Sequence, residues 1–477
     1  MLPATWRLRL DPGTRRVDDG RVLVGGAPLR LLRFNEAGAS IIEELAEGIP
    51  IGDAPTRQQL ARRLLDGGMA HPVPDRATRS SADVTVVVPT YPSAAGLAET
   101  LEHLGPVAGC VVVDDATSDP EVEQTATRFG ADFARHDVNR GPAAARNTGW
   151  RLATTDLVAF VDPRCTPQPG WLDRLLPHFD DPAVVAVAPR ITSRVLPSLS
   201  AGLAAYERAR PSLDRGPTEG LVRPRGRVPF VPSTALLLRR SALEASGGFD
   251  EALRLGEDVD MVWRLVASGG TVRYEPGSEV AHESRGTARA WLRQRFGYGT
   301  SAAALSERHG SAVAPLAISA WTAAAWTLVG AGAPRAGLAV AVGSSAALAP
   351  RLNGLDHPWR ESARLAGLGH LHGGPRIGDA LRRPWWPIAL AAGLLSRRAR
   401  RGVAVAMIVP LLIEWCRDRP PLDPVRWVGL RLADDVAYGT GVWAGCLRAR
   451  SFGALRPDLT SWPGRKRAVE AGGTTSS

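Results

Sequence analysis

Cysteine is scarce in this chain. Its four cysteines (Cys110, Cys165, Cys416 and Cys446) form no Cys-x-x-Cys pair and no zinc spacing, which excludes a dithiol redox site or a zinc knuckle. Cys110 sits inside an apolar run, as a buried free thiol does, and a reducing cytosol fits that usage. Met1 to Leu10 alternates arginine with apolar residues and lacks a continuous apolar h-region, so no secretory signal is expected. No internal repeat is evident. Lysine is nearly missing: of 58 basic residues only Lys466 is a lysine, a skew that codon bias alone can produce. The rest of the composition excludes disorder for most of the chain, since 44% hydrophobic and 22% charged residues can bury a core.

At 477 residues the chain has room for two to four domains at ~100–200 residues each. A formal charge of +10 raises nucleic acid or an anionic membrane as partners. That charge is unevenly placed. Residues 1–350 carry 38 basic and 38 acidic side chains, whereas 351–477 carry 20 and 10. The half that carries the chemistry is therefore balanced, with no basic cluster among stacking aromatics, and no nucleic-acid partner is expected.

Three regions follow, at 1–78, 79–305 and 306–477. In the first, Asp19-Gly20 between Arg16-Val17 and Arg21–Val24 reads as a hairpin turn. Asn35 and Thr56 each read as the cap of a short helix, and His71–Ser81, with two prolines, as a linker. In the second, Val84–Val88, Val111–Val113, Leu157–Val161 and Ala235–Leu238 are short apolar runs bounded by turn or polar residues, as buried strands of a largely parallel sheet are. Helical patterns lie between them at about 93–104, 119–129 and 141–152. Ligands gather at the C-terminal strand ends of such sheets, and those ends carry Pro89-Thr90-Tyr91, Asp114-Asp115 and Asp162.

The third region is rich in Ala, Gly, Pro, Trp and Arg. Residues 309–334 carry no Asp, Glu, Lys or Arg and are long enough to cross a bilayer, with Trp321 and Trp326 as interfacial anchors or as core. The stretches 384–396 and 402–413 flank Arg397, Arg398, Arg400 and Arg401, a pattern that suits an interfacial helix better than a span. The last 15 or so residues read as frayed.

Five segments carry a resemblance: Val84–Tyr91, Val112–Asp119, Asn139–Gly149, Phe160–Asp162, and Gly247–Glu251 with Gly256–Asp260. In this order and spacing they resemble the inverting glycosyltransferases of family 2, over roughly residues 82–300. The fold implied is the α/β, Rossmann-like GT-A fold with a mixed, mostly parallel sheet. The resemblance places the nucleoside at Pro89, Thr90, Tyr91 and Asp114 or Asp115, although either Asp also suits a helix cap or Asx turn. Arg146 and Asn147, in the first turns of a helix opened by Gly141-Pro142, stand where a nucleotide or diphosphate is contacted; a helix-face ion pair is the alternative for Arg146.

Asp258 of Glu257-Asp258 matches the base that takes the acceptor proton, while both acids also favour a helix N-terminus. The family pairs the diphosphate with Mg2+ or Mn2+ held by Asp-x-Asp. Here the pattern reads Asp162-Pro163-Arg164, so the second carboxylate is absent and the metal is in doubt. Asp162 with His282 is the remaining ligand pair, Arg164 can pair with phosphate directly, and His282 reads equally as a surface or core histidine. Glu257, Arg293, Arg295 and Phe296 loosely match an acceptor-side motif, and equally a basic amphipathic helix.

Leu31–Gly38 followed by a helix resembles the PqqD-like modules that bind precursor peptides, with a winged-helix-like packing module as the alternative reading. Fused to a family 2 domain and an apolar, arginine-rich helical tail, it resembles the glycosyltransferases of mycofactocin biosynthesis. The resemblance implies transfer of a sugar, glucose, from a nucleoside diphosphate sugar to a peptide-derived redox cofactor precursor. The apolar, arginine-rich tail itself reads as associated with the cell membrane, with the catalytic domain facing the cytoplasm where nucleotide sugars are made; a soluble helical extension that packs on itself is the competing reading. Transfer to a polyprenyl phosphate or a polysaccharide, or non-catalytic binding of a nucleotide sugar, are the competing functions.

Overall fold

A computed structural model describes residues 1–75 and 77–459. The frayed terminus expected from the sequence lies outside the described residues. The N-terminal unit begins with β1 (Arg7–Leu10), β2 (Arg15–Val17), β3 (Val22–Gly25) and β4 (Arg30–Arg33), followed by α1 (Glu36–Ala46), α2 (Pro55–Asp66) and β5 (Ala70–Val73). Strands β2, β3 and β4 form an antiparallel meander, whose first turn passes through Asp18, Asp19 and Gly20 at positive φ. Asn35 caps α1 by accepting from the Gly38 amide. Thr56 does not cap α2. That helix starts at Pro55 after Ala54, with no side-chain cap, because the proline ring presets the first helical φ. The first residues of the expected linker His71–Ser81 are instead in strand β5, which runs to Val73 and pairs antiparallel with β1. Trp6, Leu23, Ile42 and Leu64 fill the core of this unit.

The central unit holds β6 (Val84–Thr90), α3 (Leu97–His103), β7 (Gly109–Asp114), α4 (Glu121–Arg128), β8 (Asp132–Arg135), α5 (Pro142–Leu152), β9 (Leu157–Val161) and β10 (Cys165–Pro167). It continues through β11 (Val184–Arg194), α6 (Ala201–Ala209), β12 (Gly220–Leu221), β13 (Ala235–Arg239), α7 (Arg240–Ser246), α8 (Glu257–Ala267), β14 (Thr271–Glu283), α9 (Ala288–Thr300) and α10 (Ala302–His309). The sheet order is β10-β14-β11-β13-β9-β6-β7-β8, with β12 beside β14. Strands β6, β7, β8, β9, β11 and β14 run in one direction, and β10, β12 and β13 oppose them. Every residue of β6 and of β9 is buried, which is why both read as unbroken apolar runs. Sequence pattern did not delimit β11 and β14. They are long and partly polar, and their parallel register shifts at Pro189/Arg190.

The C-terminal region is helical: α11 (Ala320–Gly330), α12 (Pro334–Leu348), α13 (Pro358–Arg382), α14 (Trp386–Leu395), α15 (Arg397–Asp418) and α16 (Pro424–Ala449). Among the described residues no helix is long and apolar enough to cross a membrane. The 309–334 stretch that has the length to span is broken up. Its only helix of any length, α11, ends at Gly330 after 11 residues, about 16 Å of rise. Helix α16 packs on α9 at backbone contact, where a Cβ on Gly441 would run into the Phe296 carbonyl. Leu352 and Leu355 cover Val22 and Val24 of the N-terminal meander.

Candidate active site

The parallel strands bring Thr90, Asp114, Asp162, Arg194 and Glu283 to one edge of the sheet, and β13 enters from that edge at Ala235. The loops there are tied first by carboxylates. Asp115 accepts from the Arg140 and Gly141 amides (2.9 and 2.7 Å), from Asn139 Nδ2 (2.8 Å) and from His136 Nδ1 (2.8 Å). Four donors fill a carboxylate, so Asp115 shapes the loop that opens α5 and has no lone pair left for a nucleoside. Asp114, fully buried, accepts from Thr117 and from Arg135 Nε (2.7 Å), which leaves it one acceptor position. Thr90 Oγ1 is buried without a partner and Tyr91 is 56% exposed, while Pro89 is buried within β6.

Helix α5 delivers Arg146 and Asn147 to the centre. The Asn147 amide is saturated: Nδ2 donates to the Phe249 carbonyl (2.8 Å) and Glu251 (3.0 Å), and Oδ1 accepts from the Phe249 amide (2.9 Å) and Trp150 (3.1 Å). Asn147 therefore does not face a ligand. It pins the Gly-Gly-Phe-Asp-Glu segment, where Gly248 sits at φ +73° and a Cβ would collide with the Asn147 oxygen. The contact joins two segments about a hundred residues apart in the chain.

Arg146 is buried and bridges two acids, with Nη2 2.7 Å from Asp162 Oδ1 and Nη1 2.9 Å from Glu257 Oε1. Glu257 is thereby turned to Arg146 rather than toward an acceptor. Asp258, next along α8, accepts from its neighbour Val259 (2.8 Å) and more weakly from the Ser233 amide (3.4 Å). Burial pushes the Asp258 carboxyl above its ordinary range, and Arg146 pulls against that shift. Burial and the adjacent Asp258 likewise raise Glu257. The result is a half-buried carboxylate with free acceptor capacity and raised basicity, as a general base requires. Ser233 was not flagged by sequence, since a backbone amide leaves no residue-type signal.

The metal fit fails on donor chemistry. Arg164 replaces the second acid, and Asp162 Oδ1 already accepts from Arg146. Among the described residues no group of three His, Cys, Asp or Glu side chains could hold an ion. His282 pairs in register with Cys165 and Ser193. Burial lowers it to about 4, with Arg285, Arg164 and Arg194 adding to the effect against Asp162. On the acceptor side, Arg295 is buried between Glu207 (2.6 Å) and Asp434 (3.0 Å), which ties α9 to α6 and α16. Arg293 is exposed and Phe296 half-buried. The α9 residue that reaches the cleft beside His282 is Gln294, together with Thr192, Ser193, Glu207 and Ser212.

Residues 85–247 match the family model "Glycosyl transferase family 2". Over 471 residues the chain is 39% identical to the pre-mycofactocin glycosyltransferase of Mycobacterium tuberculosis, covering 96% of this chain and 98% of the relative. The chain belongs to glycosyltransferase family 2. It is a glycosyltransferase with a GT-A-type mixed sheet. Its similarity to human polypeptide N-acetylgalactosaminyltransferase 15 is 26% over 192 residues, 36% of this chain and 30% of that one. A solved mannosyltransferase from Pyrobaculum calidifontis, in complex with GDP-Man and Mn2+, aligns at 20% identity and a TM-score of 0.39, covering 63% of this chain and 89% of that one.

Proposed function

We propose that this transferase moves a hexose, glucose by resemblance, from a nucleoside diphosphate sugar to a peptide-derived acceptor of the pre-mycofactocin type, with inversion. The observation that carries this reading is the 39% identity to the pre-mycofactocin glycosyltransferase along 96% of the chain. In the proposed step the acceptor hydroxyl oxygen attacks the anomeric carbon and its proton passes to Asp258. The bond from that carbon to the diphosphate oxygen breaks, and the electron pair leaves with the nucleoside diphosphate. Asp258 suits the role because burial raises its basicity while Arg146 keeps it ionisable. The N-terminal unit, PqqD-like by resemblance, would present the peptide part. Mass spectrometry of products from purified protein, UDP-glucose and pre-mycofactocin tests the reading. A hexose adduct by mass, with inverted anomeric configuration read by NMR of the product, supports it, and unchanged acceptor with every nucleotide sugar offered rejects it.

We further propose that α14 and the start of α15 rest on an anionic membrane surface, with the catalytic unit on the cytoplasmic side. Leu394 and Leu395 are 76% and 88% exposed, beside Arg397, Arg398, Arg400 and Arg401, which form no ion pair among the described residues. Apolar side chains next to unpaired arginines suit insertion between acidic headgroups.

A further inference from the structure

Three arginines meet at the edge of the sheet where a donor diphosphate would leave. Strand β10 begins at the edge where β11 and β14 end, with Cys165 and Ser193 both opposite His282. Arg164 immediately precedes β10, Arg194 closes β11, and Arg285 follows β14 by two residues. All three lie close enough to His282 to act on its charge. Their counter-ions are fewer than their charges: Glu283 receives Arg194 at 3.1 Å and Arg164 only at 3.9 Å, and Glu99 also receives Arg194. Arg285 is exposed and takes part in no ion pair among the described residues.

Two further details belong to the cluster. Arg194 Nε is buried with no acceptor. Arg164 is held at φ +71°, a conformation that side chains rarely adopt, with its backbone against Gly96, itself at φ +81°, and its Nε on the Ala95 carbonyl (3.3 Å). Only a residue without a Cβ lets Arg164 lie there, because a Cβ on Gly96 would overlap it.

We propose that Arg164, Arg194 and Arg285 form a metal-free clamp for the diphosphate of the donor. They would supply the positive charge that stabilises the leaving nucleoside diphosphate, where the donor set does not fit a divalent cation. Guanidinium forks match phosphate oxygens in pairs and keep their charge at every working pH. His282, neutral among them, adds a donor or acceptor without adding repulsion. The proposal rests on the nucleotide-sugar reading above.

Isothermal titration of UDP into the full chain tests it, in EDTA and then in excess MnCl2, with GDP and ADP as alternatives for the base. The clamp predicts the same affinity in both buffers within about twofold, and a loss of about tenfold in EDTA for each of Arg164→Ala and Arg285→Ala. Both side chains are substantially solvent-accessible, and thermal melts of the variants serve to check that they fold. UDP binding that appears only with MnCl2 overturns the clamp and leaves the transferase reading standing. Binding in EDTA that neither substitution weakens overturns it as well. A chain that binds none of the three nucleotides under either condition overturns the donor reading itself, and the clamp with it.

Discussion

Arg146 donates from Nη2 to Asp162 Oδ1 across 2.7 Å, and this contact joins the helix after the glycine loop to the end of strand β9. Its other terminal nitrogen holds Glu257 at 2.9 Å, so one buried guanidinium fixes the first residue of α8 and sets the electrostatics of Asp258. A surface arginine on the same helix face would have done neither.

Arg146→Gln removes the cation that opposes the upward shift of Asp258. The base must be deprotonated to work, so activity rises as pH rises through its pKa. Burial already places that pKa above the ordinary 3.8. The acid limb of kcat/KM is expected above the ordinary carboxylate range in the wild type, and at still higher pH in the variant. A pH profile of both proteins checks this, and a limb moving to lower pH contradicts it. Because buried Glu257 and half-buried Asp162 lose their partner, the melting temperature should fall too, by the equivalent of about 3–5 kcal/mol.

Asp258→Asn keeps the shape of the site and removes its basicity. Transfer is expected to fall by roughly 100-fold or more, with UDP affinity unchanged within about twofold. Retained turnover on the authentic acceptor would exclude Asp258 as the base.

Asn147→Ala frees both edges of the Phe249 peptide unit, which the amide holds at 2.8 and 2.9 Å. Leaving those buried groups unpaired costs about 1–3 kcal/mol. Activity should drop with stability because the same segment leads into α8. A melt and a steady-state assay of one preparation read both effects.

Asp11 locks the N-terminal unit onto the central one, accepting from Arg227 (2.7 and 2.9 Å) and from His71 (2.8 Å). Burial tends to raise its carboxyl, yet the hydrogen bonds from His71 and Arg227 outweigh it and hold the group below the ordinary 3.8. A depressed folded-state pKa stabilises above the unfolded value and is lost as pH falls through the folded one. Asp11→Asn should therefore melt earlier at neutral pH, with the gap to wild type closing as the buffer is taken below the carboxylate range.

Replacing Arg397, Arg398, Arg400 and Arg401 by serine tests the membrane reading. Wild-type protein is expected to sediment with vesicles containing phosphatidylglycerol, to stay in the supernatant with pure phosphatidylcholine, and to be released by high salt. The quadruple variant should remain in the supernatant throughout. Equal binding to both lipids would remove electrostatics from the account.

The short central strands were legible because they are buried on both faces: Leu157–Val161 came out at the bounds its apolar run gave. Strand β14 was not, since Thr271–Glu283 mixes polar and apolar residues along 13 positions and takes its order from β11 and β10 beside it. Asp115 and Asn147 were legible as important and misleading as to role. Residue type marks a group that can bind a ligand, but only the fold shows that four protein donors already occupy it.

The sequence by itself determined the family, the strand-end motifs and the acid poised at the start of α8, because these depend on residue types at fixed spacing along the chain. The tertiary structure alone decided which polar groups remain unspent. It turned Glu257, Asn147, Asp115 and Arg295 inward to hold the frame, left Asp258 with acceptor capacity, and gathered Arg164, Arg194 and Arg285 at one edge. Saturation of a hydrogen-bonding group is a property of its neighbours in space, and distant segments supply those neighbours.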